Sequence, residues 1–121
     1  MTVRKTAGVR LRAGLDAALA RAGKELGRTL EWDERELLTL GTAAQVADRA
    51  EVLREMFADE QAGKARPTIL VKISAELRMC DRQVVDLVTR INPGVGVAKS
   101  ERHVRAARHR WDMKRQQLDG A

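Results

Sequence analysis

The chain has 121 residues, which suits one domain with extensions and a hydrophobic core of modest size. It contains 23 Lys and Arg residues against 17 Asp and Glu residues, and its only aromatic residues are Trp32, Phe57 and Trp111. This charge-rich and aromatic-poor composition favours close-packed long helices over a sheet core, and the single Cys80 excludes an intramolecular disulfide.

No apolar run has the length of a transmembrane helix, and the first residues lack the apolar core of a signal peptide. We therefore expect a soluble, cytoplasmic protein without membrane contact. Cys80 lies on an apolar helix face, so the favoured interpretation is a small buried hydrophobe and not a nucleophile.

The charges are distributed unevenly along the chain. Residues 1–30 carry a net charge of +5, residues 31–90 carry −3, and residues 91–121 carry +4. This pattern suggests a structural middle with ends that bind an anion. The alternative is that the basic ends only keep the chain soluble.

The N-terminal part is predicted to be an arm followed by a helix. Residues 1–8 are polar and basic and are expected to be flexible. From Val9 to Leu26, apolar residues recur at helical spacing. Gly14 and Gly23 each weaken this helix by up to about 1 kcal/mol relative to Ala, and Gly27 is suited to end it.

The strongest helix start in the chain follows Trp32. Asp33 is a candidate N-cap, and Glu36 stands at the position that completes a capping box. The helix is predicted to run to about Ala62. Because Trp32 precedes the cap, we interpret it as a structural residue and not as a ligand-stacking one.

A third helix is predicted from Pro67 to about Ile91, since proline is tolerated in a first helical turn. A short connection between two long helices favours an antiparallel pairing, so we predict a long hairpin over residues 33–91 within a helical core of residues 9–91. Its apolar seam comprises Ala43, Val46, Ala50, Leu53 and Phe57 on one helix and Leu70, Ile73, Leu77, Cys80, Val84, Leu87 and Ile91 on the other.

The two long helices are apolar beyond this seam, and such helices need another packing layer. We therefore predict a homo-oligomer. The apolar residues off the seam that are candidates for the oligomer interface are Leu37, Ala44, Val52, Met56, Val71, Val85 and Val88.

Residues 92–121 are predicted to form a loop and a basic C-terminal helix that begins near Ser100 and runs towards Leu118. Seven cations with Trp111 among them indicate nucleic-acid binding, mostly through phosphates. These candidate DNA-binding residues are Lys99, Arg102, Arg105, Arg108, Arg110, Lys114 and Arg115.

Other chemistries have weaker sequence support. The run before Lys99 and Ser100 is similar to a phosphate-binding loop, but Pro93 and Ala98 occupy the two positions that require glycine, and a helix precedes it instead of a strand. His103 and His109 are spaced too unfavourably to share a helical face, so no metal site is predicted. We find no catalytic constellation, expect a protein that is not an enzyme, and predict no cofactor.

Four segments together resemble the small terminase subunits of tailed phages and prophages, in particular those of actinobacterial phages. They are the acidic helix start at residues 30–38, the Ala-Asp-Arg-Ala-Glu-Val-Leu run at residues 47–53, the proline-led helix from Pro67, and the basic ending at residues 99–111. The resemblance covers roughly residues 8–111.

This resemblance implies an oligomeric, non-catalytic protein of the infected bacterial cell that recognises viral DNA and regulates the large terminase subunit, the packaging ATPase and nuclease. No helix-turn-helix is recognisable, so the DNA contact is expected from the basic ends. By matched position, the N-terminal candidates are Arg4, Lys5, Arg10 and Arg12.

Two other functions remain open at this point. One is a general DNA-binding or transcription-associated protein that dimerises through the hairpin. The other is a helical protein–protein adaptor that does not bind nucleic acid.

Overall fold

The computed structural model describes residues 4–91 and 108–118, and the regular structure of these residues is entirely α-helical. The helices are α1 (Ala7–Leu26), α2 (Glu34–Ala62) and α3 (Pro67–Thr89). Residues 108–118 are also helical, and we name them the C-terminal segment. The predicted all-α fold class is confirmed. Among the described residues, no helix combines the length and the apolarity needed to cross a membrane.

The helix bounds lie close to the predicted ones. α2 ends at Ala62 and α3 begins at Pro67, as the sequence predicts, and α1 ends at Leu26. α1 begins at Ala7, two residues before the predicted start. The predicted start of the last helix near Ser100 lies outside the described residues.

The chain divides into two compact units. Of the described residues, the first unit contains 4–13 together with Thr39–Ile91, and the second contains Gly14–Leu38 together with 108–118. The division into arm, core and C-terminal part stays a prediction.

In the first unit, the beginning of α1 lies against α2. The Thr6 hydroxyl accepts a hydrogen bond from the Val9 N–H at 3.3 Å, and Oδ1 of Asp48 accepts one from the Gly8 N–H at 2.7 Å. Gly8 is buried, and a Cβ added there would overlap the carbonyl oxygen of Ala44. α1 therefore begins early because its first N–H groups, which have no partner within the helix, find acceptors elsewhere.

Every residue of the predicted apolar seam is buried or half-buried. Ala43 and Ala50 of α2 are fully enclosed, and Cys80 of α3, a free thiol, is only 6% exposed. Small side chains at the seam allow helices to approach closely, which suits a chain with three aromatic residues.

The connection from α2 to α3 is short and hydrogen-bonded. The Ala65 N–H donates to the Glu60 carbonyl at 2.7 Å, and Nε of Arg66 donates to the Glu60 carboxylate at 2.6 Å. Ala65 has a φ of 49°, a left-handed conformation that costs a non-glycine residue free energy. Pro67 then opens α3 without losing a helical hydrogen bond.

Two ion pairs join α2 and α3. The Arg54 guanidinium lies 2.6 Å from the Asp81 carboxylate, and that of Arg49 lies 3.7 Å from the Glu76 carboxylate. These side chains are about half exposed or more, and exposed pairs of this kind contribute about 0–1 kcal/mol. The apolar seam, and not the ion pairs, therefore supplies most of the cohesion.

In the second unit, α1 ends in a Schellman motif. Gly27 has a φ of 65°, its N–H donates to the Lys24 carbonyl at 3.2 Å, and the Arg28 N–H donates to the Gly23 carbonyl at 2.9 Å. The chain then folds back so closely that a Cβ on Gly23 would lie 2.6 Å from the Arg28 carbonyl oxygen. Gly23 is therefore required by packing, although the sequence suggested only a weak point.

Trp32 fixes the chain between α1 and α2. Its side chain is 5% exposed, and its indole N–H donates to Oδ1 of Asp16 at 2.8 Å. The next residues form the predicted capping box, in which the Glu36 N–H donates to Asp33 Oδ1 at 2.8 Å and the Asp33 N–H donates to Glu36 Oε1 at 3.2 Å. The structural interpretation of Trp32 agrees with these contacts.

The two glycines of α1 provide a matched test of the contact between α1 and α2. We expect Gly8→Ala to destabilise the protein by about 1–3 kcal/mol, because its Cβ meets backbone atoms that cannot move aside. Gly14→Ala is the control: it meets no atom within 4 Å and should stabilise the helix by about 0.5–1 kcal/mol. Urea denaturation measures both changes, and equal effects of the two substitutions would contradict the proposed packing.

Candidate nucleic-acid interface

The C-terminal segment is exposed at every residue. It carries four of the predicted DNA-binding cations: Arg108, Arg110, Lys114 and Arg115. The predicted Lys99, Arg102 and Arg105 lie outside the described residues. A helix with no buried residue has little packing to hold it in place, so its polar contacts determine its position.

Arg110 attaches this segment to the chain that precedes α2. One guanidinium nitrogen donates to Glu31 Oε2 at 2.5 Å, and the other donates to the backbone carbonyl of Trp32 at 2.7 Å. Since Trp32 is itself buried and bound to Asp16, the arginine is attached to a well-held backbone. Arg110 therefore has a positioning role, in addition to any contact with DNA.

A cleft of about 440 Å³ lies between the C-terminal segment and the turn after α1. Its lining is mainly charged and polar, with one large aromatic side chain. The lining residues are Arg28, Thr29, Glu31, Arg108, Trp111, Asp112 and Arg115.

The cleft has an excess of positive charge. Three guanidinium groups and two carboxylates line it, and one of these carboxylates, that of Glu31, is bound to Arg110 outside the lining. A concave surface with excess guanidinium groups favours a phosphate-bearing ligand, since arginine binds phosphate oxygens through paired N–H donors. This arrangement places Arg108 and Arg115 of the predicted set together.

The N-terminal candidates have a different environment. Arg4 and Lys5 are exposed and Arg12 is half-buried. Arg10 donates to Glu51 Oε2 at 2.8 Å and to the Lys5 carbonyl at 2.5 Å. The charge of Arg10 is therefore already opposed by a carboxylate of α2.

The contact between Arg10 and Glu51 affects the pKa of the Glu51 carboxyl. The hydrogen bond from the Arg10 side chain holds the pKa of the Glu51 carboxyl below its ordinary value, and a backbone hydrogen bond from Ala7 and the charges of Arg10 and Arg4 act in the same direction. Partial burial acts in the opposite direction. Together with Asp48, this carboxylate also complements the positive end of the α1 dipole.

The predicted oligomer-interface residues fall into two groups. Val52, Met56, Val71 and Val85 are exposed, whereas Leu37, Ala44 and Val88 are half-buried.

Sequence reasoning did not single out Arg28 or Thr29 as site residues. Arg28 directly follows the left-handed Gly27, so the turn itself directs the chain towards the cleft. The nearest sequence signal is the net positive charge of residues 1–30, which includes Arg28 without distinguishing it from the other cations.

Within residues 4–91 and 108–118, no group of three or more His, Cys, Asp and Glu side chains is arranged to hold a metal ion. His103, which the sequence analysis did not assign to a metal site, lies outside these ranges.

Comparisons of the chain with protein-family models, with curated proteins and with solved structures found no match.

The contact between Arg10 and Glu51 makes stability depend on pH. Because the pKa of Glu51 is lowered in the folded state, the ionised carboxylate stabilises the fold. This stabilisation is complete above the ordinary pKa of a glutamate, and it is lost as the pH falls through the pKa that Glu51 has in the folded state. We expect Glu51→Gln to destabilise the protein near neutral pH and to match the wild type in acid. Urea midpoints measured across this range provide the test.

Glu55→Gln, which removes one carboxylate charge from an exposed position of the same helix, is the control. An effect of Glu51→Gln that is the same at neutral and at acidic pH would show that the carboxylate charge does not support the fold.

Proposed function

We propose that this chain is a non-catalytic DNA-binding subunit of the terminase small subunit type, which assembles into an oligomer and regulates a large packaging ATPase and nuclease. The observation that carries the proposal is the basic cleft that Arg28, Arg108 and Arg115 form around Trp111. The net charge of +6 and the resemblance of residues 30–38 and 99–111 to that family support it further.

The DNA contact is assigned to the C-terminal segment. Its cations are exposed, and Arg110 binds the segment to the backbone of the buried Trp32, which holds the cleft residues of the segment in place. The N-terminal cations contribute less to our assignment because Arg10 is bound to Glu51. Contacts of this kind are mostly to phosphates and give an affinity that falls steeply with salt.

Assembly is assigned to α2 and α3. We infer that the two helices form an antiparallel hairpin, because only four residues connect them and because their apolar seams face a buried interior. Val71 and Val85 of α3 are 65% and 60% exposed. At 100° per residue they lie about 40° apart around the helix, on one exposed side of α3 with Arg78 between them. We assign this side to contact with a second copy of the chain.

The two proposed surfaces use different parts of the chain: the cleft belongs to one compact unit and the exposed valines of α3 belong to the other. No catalytic role is proposed for either unit.

DNA binding is tested by reversing two charges in the cleft. We expect Arg108→Glu with Arg115→Glu to weaken binding to DNA and to reduce the slope of log affinity against log salt by about 1 for each arginine removed from a phosphate. Fluorescence anisotropy with labelled duplex and single-stranded DNA over a series of salt concentrations measures both quantities.

The matched control is Lys64→Glu with Lys72→Glu, which makes the same charge change at exposed positions that lie outside the cleft and away from the side of α3 that carries Val71 and Val85. Equal weakening by the two double variants would indicate an effect of net charge alone. If no form of DNA binds, the adaptor function replaces the proposed one. Stimulation of a large terminase encoded beside this gene distinguishes the packaging role from general DNA binding.

Self-assembly is tested at the exposed face of α3. We expect Val71→Asp with Val85→Asp to lower the mass measured by light scattering after size exclusion without reducing helical circular dichroism. Met79→Asp is the control, because Met79 is similarly exposed but lies about 80° or more from both valines around the helix. A wild-type monomer at micromolar concentration would overturn the oligomeric assignment.

A further inference from the structure

The cleft around Trp111 has two features that phosphate binding alone does not require. Its indole side chain is 66% exposed, and its surface is concave, with a volume of about 440 Å³. A protein that only follows the backbone of duplex DNA needs cations for that purpose, not an aromatic ring or a pocket. These two features therefore point to a more specific ligand.

The spacing of the cleft residues on the C-terminal segment supports the same conclusion. Arg108, Trp111 and Arg115 follow one another at intervals of three and four residues, so they share one face of the helix. The indole ring thus lies between two guanidinium groups along the segment. Arg28 and Thr29 line the cleft from the turn after α1.

The contact between Arg110 and Glu31 contributes to the charge of this site. Glu31 lines the cleft, but its carboxylate accepts a hydrogen bond from Arg110, so its negative charge is compensated by a group outside the lining. Asp112 is the other acidic residue of the lining. The three lining arginines therefore retain an excess positive charge directed at an anionic ligand.

We propose that this cleft binds an unpaired nucleotide of DNA, with the base stacked on the Trp111 indole and the adjoining phosphates bound by Arg28, Arg108 and Arg115. An aromatic ring among cations is the arrangement by which proteins bind single-stranded nucleic acid. The volume lies within the range of pockets that enclose small organic ligands.

The proposal rests on the DNA-binding function proposed above and specifies the form of DNA. In a duplex the faces of the bases are covered by their neighbours, so an indole ring reaches a base face only at a single-stranded end, in an opened segment or on an extruded nucleotide. The chain is therefore expected to bind DNA at positions where the bases are locally unpaired.

The two tryptophans make the test direct. Trp32 is buried and Trp111 is exposed, so a ligand that stacks in the cleft quenches the emission of Trp111 and leaves that of Trp32. The full chain is titrated with oligo-dT of about 12 nucleotides, within the range of single-strand site sizes. A blunt duplex and the mononucleotide dTMP are titrated in parallel.

We expect oligo-dT to quench Trp111 and to bind more tightly than the blunt duplex. Trp111→Leu should weaken oligo-dT binding by about tenfold or more, because it removes the stacking surface. Trp111→Phe should retain most of the affinity, since a phenyl ring also stacks. Because the side chain is largely exposed, circular dichroism of both variants should match that of the wild type.

The remaining outcomes separate this proposal from the DNA-binding function. If duplex and oligo-dT both bind but Trp111→Leu changes neither affinity, the stacking site is rejected and DNA binding stands. If dTMP binds as tightly as oligo-dT, the cleft is a free-nucleotide site and the assignment to DNA is overturned. If no DNA form binds, both proposals fail.

Discussion

The backbones of α1 and α2 approach so closely at Gly8 that no side chain fits between them. The Gly8 N–H donates to Asp48 across 40 positions of the sequence, and the space for a Cβ is already occupied by a backbone carbonyl. Because the chain has only three aromatic residues, large side chains contribute less to its cohesion than the close approach of helix backbones does. Ala43 and Ala50, which are enclosed in the same unit, are small enough to allow this approach. A side chain at position 8 therefore costs stability, whereas one at Gly14 would meet no atom within 4 Å.

The second unit depends on Trp32 in a comparable way. The indole N–H binds Asp16 of α1 and the carbonyl binds Arg110, so one residue connects the first helix with the C-terminal segment. The cleft exists because this connection holds two distant stretches of basic sequence together. Both hydrogen bonds are partly buried, so breaking them costs stability to the extent that water cannot replace the lost partner. A function assigned to the cleft therefore depends on the integrity of the region around Trp32.

The features that the sequence predicted are those that depend on neighbouring residues. The capping box of Asp33 and Glu36, the stop at Gly27 and the start at Pro67 are local, so their residue types suffice to locate them. The all-α class follows in the same way from periodicity. The role of Gly8 depends on Asp48, and the cleft depends on Arg110 reaching a residue 79 positions away, so neither follows from local pattern.

The buried thiol of Cys80 can be used to measure local opening of the structure. It is the only cysteine and lies in the interior face of α3, so a thiol reagent modifies it only in molecules in which that helix has separated from its packing. When reclosing is faster than modification, the labelling rate is proportional to the open population and gives the free energy of that opening. Such a measurement follows the first unit alone and needs no engineered probe.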